Sequence, residues 1–300
     1  MERDFVGYGQ FPPKIVWPGG ARLAVSVVVN YEEGAEYSLI DTDRRELMGE
    51  VPSPVPPHQR DVMNESMFEY GSRAGVWRLL RVLDRHRVPA TIFACALALE
   101  RNPAVTRAVV ERGDEICGHG YRWQEYHSMD REAERENIKL TVARLEELTG
   151  QRPLGWFTRL SPSVHTRELV VEHGGFLYDS NALNDDLPYY TEVHGRPWLI
   201  IPYSIELNDA RFWRGGLNSI EAYEQYLRDA FDCLYAEGAE TPKMMSVGLH
   251  CRIAGTPARS QALDRFLAYA RGHEGVWFTR RIDIARWWLD QYPADARGVG

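Results

Sequence analysis

Leu23-Ala24-Val25-Ser26-Val27-Val28-Val29 runs directly into Asn30-Tyr31-Glu32-Glu33-Gly34. The first seven residues are apolar and β-branched without alternation, so they read as a strand buried on both faces. Such a strand belongs to a sheet with helical crossovers, where ligands and chemistry collect at the carboxyl ends of the strands. Two adjacent carboxylates stand at that end here.

Outward from this strand the same pattern repeats. Further strand-like stretches are Ala90 to Ala96, Glu115 to Cys117, Gly155 to Phe157, Phe176 to Asp179, Trp198 to Tyr203, Met245 to Leu249 and Val276 to Thr279. Between most of them lie helical patterns. Ile138, Val142, Leu145 and Leu148 share one helical face, which predicts a helix from Arg131 to Thr149 ended by Gly150. Ile220, Tyr223, Leu227, Phe231 and Leu234 predict a second, capped by Asn218 and ended by Gly238. This alternation predicts a parallel α/β sheet, open or closed into a barrel, in a single domain spanning 1–300. Two segments interrupt it. An aromatic arm over residues 1–20, with Tyr8, Phe11 and Trp17, is expected to pack on the domain before the first strand. The excursion 38–67 carries Pro52, Pro54, Pro56 and Pro57, too many for a helix or a central strand, and reads as a lid or an oligomer contact.

With 300 residues, 44% hydrophobic and 26% charged, the chain can fill one large domain. A net charge of -8 without a basic block argues against nucleic acid or an anionic membrane as partner. No apolar run reaches the length of a membrane span, and Met1-Glu2-Arg3-Asp4 lacks the features of an export signal, so a soluble cytoplasmic protein is expected. Cys95, Cys117, Cys233 and Cys251 show no CxxC spacing and read as reduced, mostly buried thiols.

Hydrolysis of an amide needs a base to activate water, an acid for the leaving nitrogen and a positive group for the oxyanion. Glu32 or Glu33 is the candidate base, because adjacent like charges and burial raise one carboxyl pKa toward neutrality. The competing reading is a pair of solvated loop carboxylates. His250 ends the apolar run Met245 to Leu249 and is the candidate acid, and His119, after the strand at Glu115 to Cys117, is placed to orient water or substrate.

These residues together resemble the polysaccharide deacetylase (NodB-homology) superfamily. That family's Thr-Phe-Asp-Asp-Gly is matched by Asn30-Tyr31-Glu32-Glu33-Gly34, and its Leu-x-His by Leu249 and His250 after Gly248. Its His-Ser-x-x-His is matched in its first half only, by His119, with Trp123 at the second histidine position. The resemblance implies a distorted (β/α)7-type barrel. An aspartate, His, His zinc set becomes Glu33, His119 and an indole that cannot ligate, so no resident metal is expected; zinc held in part by Glu33 and His119 is the alternative.

The chain is more specifically similar to the metal-independent allantoinases of that superfamily. Matching stretches include Val6-Gly7-Tyr8-Gly9, Glu69 to Arg78, His119-Gly120-Tyr121-Arg122-Trp123, Asp185-Asp186-Leu187-Pro188-Tyr189 and Gly248 to Arg252. This implies a homo-oligomer, a tetramer among the options, acting on a small molecule by hydrolysis of a non-peptide C–N bond. Where that subfamily has a glycine-rich loop, this chain has Phe157-Thr158-Arg159-Leu160-Ser161-Pro162, which closes space and changes the expected shape of the ligand. Arg73, Arg122, Arg159 and Arg252 are candidates to hold carbonyl or acid groups, with Tyr121, Trp123, Trp156 and Asp185 completing the substrate-binding set. Trp123 is read as a pocket wall in the place of a metal ligand. The leading expectation is a hydrolase of a cyclic ureide or cyclic amide. A metal-dependent N-deacetylase of an amino sugar or small N-acyl compound, and a non-catalytic binder of a small metabolite, are the alternatives.

Overall fold

The computed structural model describes residues 3–50, 52–159, 161–213, 215–217 and 219–294. Its centre is strand β1 (Leu23–Tyr31), every residue of which is buried. β1 pairs in parallel with β2 (Ala90–Ala94), with β8 (Lys243–His250) and, along its first three residues, with β9 (Val276–Phe278). Beyond β2 the sheet continues through β3 (Glu115–Gly118), β4 (Gly155–Trp156), β5 (Tyr178–Asp179) and β7 (Arg196–Ile200), all parallel. The path from β7 to β8 therefore holds seven parallel strands. It curls until its ends meet without full pairing: Met244 N donates to Asp186 O at 3.0 Å and Gly248 N to Leu207 O at 3.1 Å. The result is the distorted, incompletely closed β/α barrel that the family resemblance implied.

Strand period decides which side chains enter the barrel. On β1, Leu23, Val25, Val27, Val29 and Tyr31 pack outward on the helices, in one cluster with Leu79, Leu83, Leu263 and Phe266. Ala24 and Val28 face inward with Phe93, Tyr203 and Met244. On β8, Met245, Val247 and Leu249 lie outward and Met244 inward. Carried forward by two, the inward rows are Asn30 and then Glu32 on one strand, and Gly248, His250 and Arg252 on the other.

The helices begin and end where the local chemistry dictates. α5 (Arg131–Thr149) starts at Asp130, whose carboxylate accepts from the amides of Glu132 and Ala133, and stops at Gly150 in the left-handed conformation, φ 69°. α7 (Ile220–Glu237) is capped by the Ser219 side chain, which accepts from Ala222 N; Asn218, the expected cap, lies outside the described residues. The remaining helices are α1 (Val62–Tyr70), α2 (Val76–Arg85), α3 (Ala96–Arg101), α4 (Pro103–Glu111), α6 (Thr166–His173), α8 (Pro257–Arg271) and α9 (Arg281–Gln291). α1 and α2 join through a π-turn at Gly71–Gly75 and form one bent rod.

Three local expectations are corrected. The proline-rich excursion does not reach Met67 as irregular chain: Asp61 caps α1, accepting from Asn64 N, so residues 62–67 are helical. The strand expected at Ala90 to Ala96 ends at Ala94, because α3 starts two residues on. Strand β6 (Tyr189–Val193) was not expected; it pairs antiparallel with β7 across a two-residue turn in which His194 and Gly195 both have positive φ. In the second half of the arm Ile15 and Trp17 are buried, and the Trp17 indole donates to Lys243 O at 2.9 Å. Phe5, Val6 and Phe11 are exposed.

Candidate active site

At the carboxyl end of the barrel a small cavity of about 80 Å³ is lined by Asn30, Glu32, His119, Trp123, Phe157, Arg159, Tyr203, Asp209's neighbours Asn208 and Ala210, His250 and Arg252, among others. Strand period explains why one glutamate of the pair is there and the other is not. Glu32 follows the inward row. Glu33 points the other way, and its Oε1 accepts from the backbone amide of Arg252 at 3.1 Å and from its Nη1 at 3.2 Å. A Cβ on Gly71 would stand 2.6 Å from Glu33 Oε1, so the π-turn can press against this carboxylate only as glycine.

Glu32 sits at the crossing of two histidines and an arginine. Its Oε1 lies 3.2 Å from His119 Nε2 and 3.6 Å from His250 Nε2, and its Oε2 lies 2.7 Å from Arg252 Nη2. Burial by itself would raise the Glu32 pKa, but Arg252 and His250 outweigh it and hold the carboxyl well below its usual range. Glu33 goes the other way: burial, reinforced by the charge of Glu32, pushes it up in spite of Arg252. The expectation that one of the pair is raised therefore falls on the glutamate that faces away from the cavity.

Each histidine is fixed through its far nitrogen. His119 Nδ1–H donates to Phe157 O at 2.9 Å, and its Nε2 is turned to Glu32. Phe157 also stacks on the imidazole, with ring centres 5.4 Å apart and planes within 10°. His250 Nδ1 lies 2.6 Å from Asp209 Oδ1, while Asp209 Oδ2 accepts from the amides of His250 and Ala254. Burial would lower the His250 pKa, but the charges of Glu32 and Asp209 override it and push it up to about 9. His250 is thus an imidazolium at neutral pH, with its Nε2 proton aimed across the cavity at Glu32. Asp209 escaped the sequence reading because it lies on a short turn (Asp209–Phe212) with no periodic signature; Asn208, capping that turn by accepting from Ala210 N, is the one local signal.

Two arginines bracket Trp123. Arg252 lies 4.8 Å from the indole centre, 4.5 Å from Phe68 and 5.2 Å from Trp213. Arg159 lies 3.6 Å from the indole and is held by Glu46 at 2.8 Å and by Trp123 O at 2.9 Å. Glu46 and Met48 come from the proline-rich excursion, which therefore contributes to the wall of the site. Of the other residues singled out in the sequence, none lines the cavity. Arg73 is exposed beside Glu69, Arg122 pairs with Asp41 at 3.5 Å, and Asp185 faces Gly7 of the arm. Trp156 is core, edge-on to Tyr126 and Phe176, and Tyr121 is half-buried against the helical layer.

The family profile for polysaccharide deacetylase matches residues 59–167. A Schizosaccharomyces pombe protein described as a polysaccharide deacetylase is 39% identical over 93% of this chain and 94% of its own length. The chain belongs to the polysaccharide deacetylase family. It is accordingly a hydrolase of carbon–nitrogen bonds. Two solved structures, one described as a polysaccharide deacetylase from Pseudomonas aeruginosa PAO1 and one as Puue allantoinase, are each 50% identical, with TM-score 0.93 over 98% of this chain and 99% of theirs. A Mycobacterium smegmatis structure described as a polysaccharide deacetylase is 25% identical, with TM-score 0.78 over 93% of this chain and 94% of its own.

The metal that the family resemblance implies does not fit these residues. A catalytic zinc needs three ligand atoms converging on one point with a fourth position open. Here Glu32 and Glu33 are both bound by the Arg252 guanidinium, a cation already seated between them, and Trp123 offers no ligand atom. Among the described residues, the three ligand groups close enough to share an ion are Glu168, Glu172 and His194 on the surface, where Glu172 is already paired with Arg131 and Arg135.

Proposed function

We propose that this hydrolase opens the ring of a small cyclic amide or ureide, of the allantoin type, by acid/base catalysis without a resident metal. The observation that carries the reading is the line Asp209–His250–Glu32, which sets an imidazolium donor and a carboxylate acceptor 3.6 Å apart in one cavity. Water beside Glu32 Oε1 attacks the ring carbonyl, and Glu32 takes its proton. His250 Nε2 delivers a proton to the ring nitrogen as the C–N bond breaks, so one proton is taken up and one released at neighbouring atoms. The two transfers assist each other. Glu32 is a poor base while His250 is charged, and it gains basicity as the imidazolium gives up its proton. His119, locked by Phe157, orients the water.

The 50% identity to a structure described as an allantoinase supports the ring, and the Arg252 cation between the two glutamates supports chemistry without zinc. The test is hydrolysis of allantoin, hydantoin, dihydrouracil, succinimide and N-acetylglucosamine oligomers by wild type and Glu32→Gln. Ring opening that falls at least about 1,000-fold in Glu32→Gln is expected, the loss of a positioned base together with its charge. Acetate release from the oligomers with no ring opened would replace this reading with N-deacetylation.

A further inference from the structure

A hydrolytic site must hold the oxyanion that forms when the carbonyl is attacked, and the donor that does so need not belong to the charged cluster. Tyr203 lines the same cavity from the segment that follows β7. Its hydroxyl oxygen accepts from Asn30 Nδ2 at 3.2 Å and from Asn208 Nδ2 at 3.0 Å. The orientation of both amides is fixed by the backbone. Asn30 Nδ2 also donates to Leu249 O at 3.2 Å, and Asn208 Oδ1 accepts from Ala210 N at 2.8 Å, so in each case the atom facing Tyr203 is the nitrogen. Two N–H donors fill the acceptor side of the phenol. Among the described residues its own proton has no acceptor.

The ring cannot turn that proton elsewhere. Phe157 lies 4.9 Å and Phe93 5.5 Å from the Tyr203 ring centre, and the Tyr203 amide is tied to Ala182 O at 2.8 Å. The hydroxyl occupies the space above Gly248, where a Cβ would collide with it. Gly248 and His250 are two apart on β8 and face the same side, so the phenol stands one strand step from the catalytic imidazolium. Burial pushes the phenol above its ordinary pKa, against the two amide hydrogen bonds, so the group stays protonated and acts only as a donor.

We propose that Tyr203 is a catalytic residue, a neutral O–H donor held by Asn30 and Asn208 to bind the carbonyl oxygen of a cyclic amide as it becomes an oxyanion. The assignment rests on the ring-opening reading for its substrate class. It does not require Tyr203 to gain or lose a proton. An amide carbonyl that enters the cavity meets Tyr203, Glu32 and His250 in its lining, and a hydrogen bond from the phenol to its oxygen polarises the carbon toward the water.

The experiment uses full-length wild type, Tyr203→Phe, and a variant with 3-fluorotyrosine at 203, which keeps the shape and the Asn contacts while making the phenol a stronger donor. The probes are hydantoin labelled with ¹³C at its carbonyls, observed by NMR, and kcat and KM on the ring that wild type opens. The expected results are a downfield carbonyl shift on binding to wild type that is lost in Tyr203→Phe, a kcat about 100-fold lower in Tyr203→Phe with KM nearly unchanged, and a larger shift in the 3-fluorotyrosine protein. An unaltered shift in Tyr203→Phe, a 3-fluorotyrosine protein indistinguishable from wild type, or no binding of hydantoin would overturn the assignment. A Tyr203-dependent shift in an enzyme that opens none of the rings would sink the ring-opening reading alone and leave the donor in place.

Discussion

Among the described residues two arginines, Arg252 and Arg281, have fully buried side chains, and the fold accommodates them in opposite ways. Arg252, just past the end of β8, meets two carboxylates and three aromatic faces. Arg281, at the start of α9, makes no ion pair among the described residues. It donates to Ser180 Oγ at 3.0 Å, to Ser246 Oγ at 2.5 Å and to the carbonyls of Ile201 and Pro202. Those acceptors lie on the segments after β5 and β7 and on β8, so Arg281 bridges the seam where the sheet fails to close. One guanidinium is paired directly with two carboxylates; the other is hydrogen-bonded only by hydroxyls and carbonyls and feels the Glu115 carboxyl through space. A buried charge surrounded by ionisable groups couples to protons, whereas one surrounded by dipoles only holds the structure.

Replacing each with methionine gives the sharpest contrast. Arg252→Met strands Glu32 and Glu33 as buried charges, and we expect a loss of about 3–5 kcal/mol in urea denaturation at pH 7 with activity abolished. Much of that stability returns by pH 5, because the stranded carboxyls then have raised folded-state pKa values and take up protons. Arg281→Met leaves hydroxyls and carbonyls unsatisfied, and we expect a loss of about 2–3 kcal/mol that changes less between pH 5 and pH 7 than the loss in Arg252→Met, because no carboxylate is paired with Arg281 directly. A loss in Arg281→Met as pH-dependent as that in Arg252→Met would erase the distinction.

Asp209→Asn tests the charged end more gently. Wild-type kcat/KM is expected to fall above about pH 9 as His250 loses its proton. The raised His250 pKa also stabilises the fold, fully below the ordinary histidine pKa and progressively less as pH rises toward 9. Removing the Asp209 charge moves the alkaline limb to lower pH, with a rate loss of roughly 100-fold at pH 8, read from pH–rate profiles. The smallest effect is expected from chelation. Dialysis against a strong chelator leaves activity and melting temperature unchanged, and zinc-dependent recovery would mean that Arg252 gives way to a metal.

Legibility in the sequence follows the range of the signal. Glu32, His119 and His250 could be found because each ends a strand whose apolar run is local, and α5 is bounded at both ends by Asp130 and Gly150. The choice between Glu32 and Glu33 was also latent in the alternation of β1, but it needed to be known which face looks into the barrel. Asp209, Glu46 and Tyr203 carry no local mark of their role. They reach the site from a turn, from the proline-rich excursion and from the barrel seam, and only long-range packing brings them there. Arg73, Arg122 and Asp185 show the reverse: motif resemblance without a place at the cavity.

The pairing of β1 has a consequence for how the chain is made. Leu23 lies in register with Lys243 and with Val276, so this strand is synthesised more than two hundred residues before two of its sheet partners. At ordinary rates of synthesis that interval is on the order of tens of seconds, during which the apolar stretch Leu23 to Ser26 has no strand neighbour, since β2 pairs only from Val27 onward. The carboxylate of Glu32 likewise has no arginine to meet until the chain just beyond β8 has been made.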